Sequence, residues 1–349
     1  MIGGISMLRP IVKKIKSAVK YLLLSNLLNS RQFCTAHDFV YQIDIAERGR
    51  FLNYLLLCLG RTGRLIEIPL DMWSSDLICM IKHCGLPVMP FRPVDKKYVL
   101  VSDKEEGGIF IDYDYFGTST PTNGFYLPYF MHPSSYVLLD EKTESLSENT
   151  NRPIKIFFAG SSLPVYKECL KFAMLDRWSI LELIQKNFNH IVKYDKSFCG
   201  NVDILLAITT SSVNSFLKYD LGFMKYLSLC SKSRFFLCPP GLSMPMSHNL
   251  IECMYAGAIP ITNYADYLHP KLTHMENCLC FNTQKDLCEI IQIALDMSED
   301  CSNVMRKNVQ KFYREHLSPE GQAQRILKHT TPYTMYVNNE NCSVLLGLK

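Results

Sequence analysis

Short apolar runs recur along this chain with helical patterns between them, the alternation that builds a parallel α/β sheet. In the first half, residues 39–45, 65–68, 99–101 and 108–112 read as strands, and residues 51–59 as a helix that follows Glu47-Arg48-Gly49-Arg50. Residues 117–136 are rich in Gly, Pro, Thr and aromatics and read as an irregular loop. The polar stretch LSENTNRP over 146–153 reads as a linker, and the apolar run 154–159 after it ends in Gly160-Ser161-Ser162, as a second doubly wound domain begins. Downstream come a helix at 178–187, a strand at 191–194 and a helix at 213–227. A strand–loop–helix–strand unit over 234–262 follows, then a strand at 278–281 and helices at 286–297 and 301–317. The pattern predicts a basic amphipathic segment over 1–30, an N-terminal domain over 31–150, a C-terminal domain over 151–320 and a tail over 321–349. There is no sequence repeat and no low-complexity tract.

Composition narrows the function classes. The chain has 349 residues, long for one domain and comfortable for two, and its hydrophobic content of 48% supplies a substantial core. A net charge of +4 is too slight to argue for nucleic acid. The 14 cysteines are scattered through apolar runs with no C-x-x-C pair, which reads as reduced, buried thiols in a cytosolic protein. Cys278 and Cys280 are too close in sequence for an ordinary bridge. No run reaches the ~18–20 apolar residues of a membrane span. In the first segment Arg9, Lys13, Lys14, Lys16 and Lys20 alternate with Ile11, Val12, Ile15 and Val19 before Leu22-Leu23-Leu24. That pattern suits an interfacial anchor on anionic lipid, or equally a basic helix packed on its own domain. No P-loop, G-x-S-x-G, H-E-x-x-H or G-x-G-x-x-G occurs, which argues against kinase, hydrolase, metalloprotease and dehydrogenase chemistry.

The most informative stretch is RFFLCPPGLSMPMSHNLIECMYAGAIP, residues 234–260. A parallel sheet binds ligands at the carboxyl ends of its strands, where the loop after residues 235–237 lies. Ser247, His248 and Asn249 open the next helix, so its first N–H groups and positive dipole end suit a diphosphate. Glu252, one turn in on an otherwise apolar helix, invites a hydroxyl such as that of a ribose. Gly160 and Ser161 offer a close approach to phosphate, and Arg234 is a candidate cation beside Lys225 and Lys232. The pattern of Cys238, Pro239 and Gly241, then Ser247, Glu252, Ala256-Gly257 and Pro260, resembles the donor-binding region of exostosin-like glycosyltransferases. More broadly it is similar to GT-B glycosyltransferases. The resemblance implies two Rossmann-like domains facing a cleft and a nucleotide-sugar donor held without a metal or other cofactor. Together with the residue reading above, the expected donor-binding residues are Glu252, Ser247, His248, Asn249, Gly160, Ser161, Gly241 and Arg234. It also implies that the closing helix crosses back onto the first domain.

The acceptor and its base are expected from the first domain. Asp44 and Glu47 follow the first strand and are the carboxylates best placed to deprotonate a hydroxyl, with His132 a rival base. The aromatic residues before His132 suit stacking on a sugar ring. The expected function is transfer to a glycan or lipid-linked acceptor in bacterial lipopolysaccharide or capsule synthesis, in the cytoplasm at the inner face of the plasma membrane. Two alternatives stand beside it: a metal-dependent GT-A enzyme using Asp112 and Asp114, or a non-catalytic glycan-binding scaffold of the same fold.

Overall fold

The computed structural model describes residues 38–43, 50–68, 84–90, 98–104, 107–117, 123–131, 133–140, 146–167, 172–194, 200–210 and 222–347. The segment 1–30 and the first part of the helix expected at 213–227 lie outside the described residues. Among those described, no helix is long and apolar enough to cross a membrane.

Two wholly parallel sheets organise the chain. The first is built from β1 (Asp38–Gln42), β2 (Ile66–Ile68), β3 (Val88–Pro90), β4 (Tyr98–Ser102), β5 (Ile109–Asp112), β6 (Gly124–Leu127) and β13 (Tyr333–Val337), in the order β3-β2-β1-β4-β5-β13-β6. Helices α1 (Arg50–Gly60) and α2 (Pro133–Asp140) belong to this half. The second contains β7 (Ile154–Ser161), β8 (Val192–Lys193), β9 (Val202–Thr210), β10 (Ser233–Cys238), β11 (Ile259–Thr262) and β12 (Leu279–Cys280), in the order β12-β11-β10-β7-β9-β8. Its connections carry α3 (Arg177–Phe188), α4 (Phe223–Ser231), α5 (His248–Tyr255) and α6 (Gln284–Asp296). Strands such as β7 and β10 are apolar almost throughout because helices cover both faces of a parallel sheet. Ile156, Phe157, Phe158, Phe235 and Phe236 are fully buried at their centre.

From the second sheet the chain runs through α7 (Glu299–Phe312) and a π-helical turn, Tyr313–Leu317, into α8 (Pro319–Lys328), β13 and α9 (Glu340–Gly347). The crossing back is made at the π-turn, where the Tyr54 hydroxyl of α1 donates to Leu317 O at 2.9 Å. Arg61 beyond α1 pairs with Glu320 of α8 at 3.1 Å. Residues 321–347 are therefore not a tail. They supply β13, the strand between β5 and β6, with Tyr336 in register with Asp112 on one side and Tyr126 on the other. The stretch expected as a loop, 117–136, likewise holds β6 and the start of α2. The nine-residue β9 was not anticipated at all, although VDILLAITT is a continuous apolar run.

A buried guanidinium fixes the opposite, amino-terminal edge of the second sheet. Arg152 donates to Asn149 O, Cys230 O, Ser233 O and Ala256 O, which satisfies carbonyls at the ends of both α4 and α5. Burial lowers its pKa to about 9. Gly257 turns left-handed (φ 74°) just past α5, and a β-carbon there would sit 2.9 Å from the Arg152 guanidinium. The Ala-Gly of the sequence motif thus ends a helix and admits Arg152.

The carboxyl edges of the two sheets face each other. Tyr129 and Phe130, after β6, meet His248 at the start of α5. Asn338, after β13, donates to Met244 Sδ in the loop after β10 at 3.4 Å. Tyr115 and Phe116, after β5, meet His269, Tyr267 and Phe172 of the second domain. This is the facing, two-domain α/β arrangement the sequence reading expected.

Candidate functional site

In the second sheet, β8 and β9 lie on one side of β7 and β10, β11 and β12 on the other. The strand order therefore reverses between β7 and β10, and a ligand crevice opens outside the carboxyl ends of those two strands. Of the residues expected to hold the donor, Gly160, Ser161, Gly241, Ser247, His248 and Asn249 lie at that edge. Asn249 Nδ2 donates to Ala159 O at 2.7 Å, which ties the first turn of α5 to the end of β7 beside Gly160 and Ser161. A β-carbon on Gly160 would lie 3.0 Å from the Phe158 ring and 3.6 Å from Asn249 Nδ2, so the close approach is built into the packing. Gly241 closes the loop after β10: its N–H donates to Pro245 O at 3.1 Å, and a β-carbon would be 2.7 Å from both Met244 O and Met246 O. Ser247 occupies the N-cap position of α5 in extended conformation, yet its buried hydroxyl makes no capping bond.

His248 has a second engagement. Its Nδ1 lies 2.6 Å from Phe130 O and donates to it, since a carbonyl only accepts. In the neutral ring Nε2 then faces the Tyr129 hydroxyl at 3.5 Å, and the ring stacks on Tyr129 with centroids 5.0 Å apart. The first turn of α5 is therefore held by the first domain.

Glu252 lies one turn further along the same stripe of α5 and is only 7% exposed. Burial raises its pKa from 4.5 to about 7, while the adjacent Tyr226 hydroxyl of α4 pulls the other way. Tyr136 of α2 lies close enough to feel its charge. Near neutral pH this carboxyl can therefore either donate or accept a hydrogen bond.

The sequence reading missed Arg177. It begins α3 with its Nε donating to Pro240 O at 3.1 Å and its guanidinium 4.3 Å over the Tyr166 ring, and it is 6% exposed. Burial lowers its pKa, and among the described residues no carboxylate pairs with it. A buried cation without an acid, at the carboxyl edge beside the crevice, is a ready counter-charge for an anion. The available signal was positional: a cation in the first turn of a helix opposes the helix dipole and needs another reason to be there. Asp176, the N-cap, accepts from Ser179 N at 2.9 Å and already serves the helix start.

Arg234 is a correction. It starts β10, at the amino edge of the sheet, where it contacts Met297 O at 3.5 Å and Glu299 at 3.8 Å. Strands point their carboxyl ends at the crevice, so the whole length of β10 separates Arg234 from it. Lys225 and Lys232 line a separate groove of about 550 Å³ with Asn149, Asn151 and Asn201. Arg234→Ala is accordingly expected to leave donor binding unchanged and to cost at most about 1 kcal/mol of stability, checked by a denaturant titration beside a ligand titration.

On the first domain, Asp44, Glu47 and His132 lie outside the described residues. The aromatics before His132 are occupied by packing within the first domain and against the second. Tyr126 stacks between His269 (3.7 Å) and Tyr336 (4.8 Å), and Phe130 stacks on Tyr54 (4.9 Å). Burial and the nearby cations Lys271 and Arg325 lower the pKa of His269 to about 4, so it packs as a neutral ring. Asp112 Oδ1 accepts the Asp114 N–H at 2.9 Å, so the two residues form a short local turn on the first sheet. Among the described residues no three His, Cys, Asp or Glu side chains gather as metal ligands.

No protein-family model matches the chain, and no curated protein sequence matches it. Among solved structures, HepE of Anabaena in complex with UDP and glucose is similar over 84% of this chain and 99% of its own, at 10% identity and a TM-score of 0.48. HepE with UDP-glucose is similar over the same shares at 9% identity and a TM-score of 0.46. A glycosyltransferase from Rickettsia africae covers 84% of this chain and 100% of its own at 8% identity, with a TM-score of 0.49.

Proposed function

We propose that this chain is a glycosyltransferase of the GT-B type, moving a sugar from a nucleotide-sugar in the second domain to a hydroxyl presented by the first. The observation that carries the reading is the crevice between β7 and β10. Gly160 and Ser161, the first turn of α5 and the guanidinium of Arg177, which no carboxylate balances among the described residues, all lie at that carboxyl edge, under the facing edge of another parallel sheet. A diphosphate leaving group develops negative charge as the glycosidic bond breaks, and preorganised N–H groups and a cation in a dry site stabilise that charge most. Glu252 is assigned to the ribose hydroxyls. Because it lies beneath His248, the Phe130–His248 contact must part for the nucleoside to reach it. The base is assigned to Asp44, Glu47 or His132, and the diphosphate to protein groups without a metal. The acceptor is assigned to a glycan or lipid-linked sugar of a bacterial surface polysaccharide, made at the cytoplasmic face of the membrane. The basic amphipathic pattern over 1–30 supports that last assignment.

A thermal-shift screen over UDP-, GDP- and CMP-sugars, with turnover measured in parallel, tests the proposal. The correct donor at about 100 times its Kd is expected to stabilise the protein by about 2.7 kcal/mol. With Glu252→Ala the stabilisation is expected to vanish; if it persisted in full, the ribose would bind elsewhere. If no nucleotide-sugar either stabilises the protein or is consumed, the scaffold reading replaces this one. Transfer that survives EDTA and Asp114→Ala would set aside the GT-A alternative; loss with both would install it.

A further inference from the structure

Cys278 and Cys280 lie on one face of the segment that forms β12, with their sulfurs 3.3 Å apart. Their exposures differ. Cys278 is fully buried, whereas Cys280 is partly open to solvent. A tight loop clamps the segment from one side: Met275 N donates to Cys278 O at 2.8 Å and Cys280 N to His274 Nδ1 at 2.9 Å. On the other side, Leu279 and Cys280 pair with Ile261 and Thr262 of β11. The two thiols are thus held side by side at the sheet edge before any bond joins them.

We propose that Cys278 and Cys280 form a reversible redox pair, closed to an intrachain disulfide by exchange with a small disulfide of the glutathione type. Cys280 is the entry point because it is the partly exposed member of the pair. Its thiolate attacks one sulfur of the external disulfide and releases one thiol, leaving a mixed disulfide on Cys280. Cys278 then attacks the Cys280 sulfur and releases the second thiol. The protein loses two electrons and two protons, and the external disulfide takes them up as two thiols. The hydrogen bond from Cys278 lowers the pKa of Cys280, which favours the attacking form.

Geometry also makes the bond reversible. Residues two apart in an extended segment have α-carbons ~6.5–7 Å apart, at the upper limit of the roughly 4.4–6.8 Å that a disulfide spans. A bridge there is strained, and strained bridges are the readily reduced ones. Cys238 and Cys253 serve as the internal contrast. Their sulfurs are 3.7 Å apart, but both residues are fully buried, so neither thiolate can reach an external disulfide.

The test equilibrates the full native chain with mixtures of reduced and oxidised glutathione, quenches with acid, alkylates after unfolding, and reads each cysteine by peptide mass. The expected result is loss of alkylation at both Cys278 and Cys280, a peptide lighter by two hydrogens, and full recovery on adding dithiothreitol. Cys278→Ser is expected to leave Cys280 as a stable glutathione adduct, and Cys280→Ser to leave Cys278 alkylatable. Cys238 and Cys253 are expected to stay reduced throughout. The proposal is overturned if the unsubstituted protein stops at a glutathione adduct on Cys280. It is equally overturned if both thiols stay reduced where the exposed Cys301 is already modified.

Discussion

Arg177→Met lowers kcat/KM for the nucleotide-sugar by about 10²–10³-fold, the penalty typical of removing one preorganised stabiliser of a developing anion and equivalent to about 2.7–4 kcal/mol. Methionine keeps most of the aliphatic stem that packs under Pro240 and Tyr166 while removing the charge. Losing a cation that no carboxylate balances also relieves a burial cost, so the fold is expected to be as stable as before or more so. Steady-state kinetics over a range of donor concentrations, beside a denaturation curve, separates the two effects. Arg177→Lys restores the charge without the planar fork and is expected to recover only part of the loss. Unchanged kinetics in Arg177→Met would remove Arg177 from the site and leave the phosphate to the α5 helix start alone.

Glu252→Gln is expected to change how stability depends on pH. The folded protein holds the Glu252 proton up to about pH 7, whereas the unfolded chain releases it near 4.5. Between those values the folded state binds more protons than the unfolded one, so stability falls as pH rises and levels off above about pH 7. Each pH unit crossed in that window costs ~1.4 kcal/mol, and the total loss across it is about 3 kcal/mol. Glutamine keeps the shape and a hydrogen-bonding group beside Tyr226 but has no proton to lose. Urea titrations from pH 4 to 8 should therefore show the two proteins converging at low pH and separating by about 3 kcal/mol at pH 8, glutamine the more stable. Other titrating groups act on both proteins alike and cancel in the difference. Parallel curves would mean that Glu252 is ionised in the folded state and reached by solvent.

Most of the second sheet is legible because its strands are apolar and followed by turns: 154–159, 235–237 and 259–262 each read from local pattern, and α5 from its polar start and glycine end, whereas β9 is equally apolar and escapes the reading. In the first sheet, β3, β6 and β13 are not legible. β6 has four residues and β13 five, each flanked by glycine, proline or polar residues. Their strand character comes from pairing with each other across about 200 residues of chain, which no local window records. β13 carried a faint signal, since YTMYV alternates buried and half-buried positions, but its place near the end of the chain made it look like a tail. At the candidate site, Ser247, Asn249, Gly160 and Gly241 were proposed from turn and helix-start chemistry, which is local. Arg177 was hidden because its significance is an absence of nearby acid, a property of the packed structure alone.

The position of β13 also bears on how the protein is made. β5 and β6 are synthesised early, yet they are joined only through a strand some 200 residues further on, after the whole second sheet has been laid down. On the ribosome the first half must therefore wait with an open slot between two strand edges while the second half folds. A nascent chain halted at residue 320 should be open to protease in its first half and protected in its second, and completing residues 333–337 should close both at once.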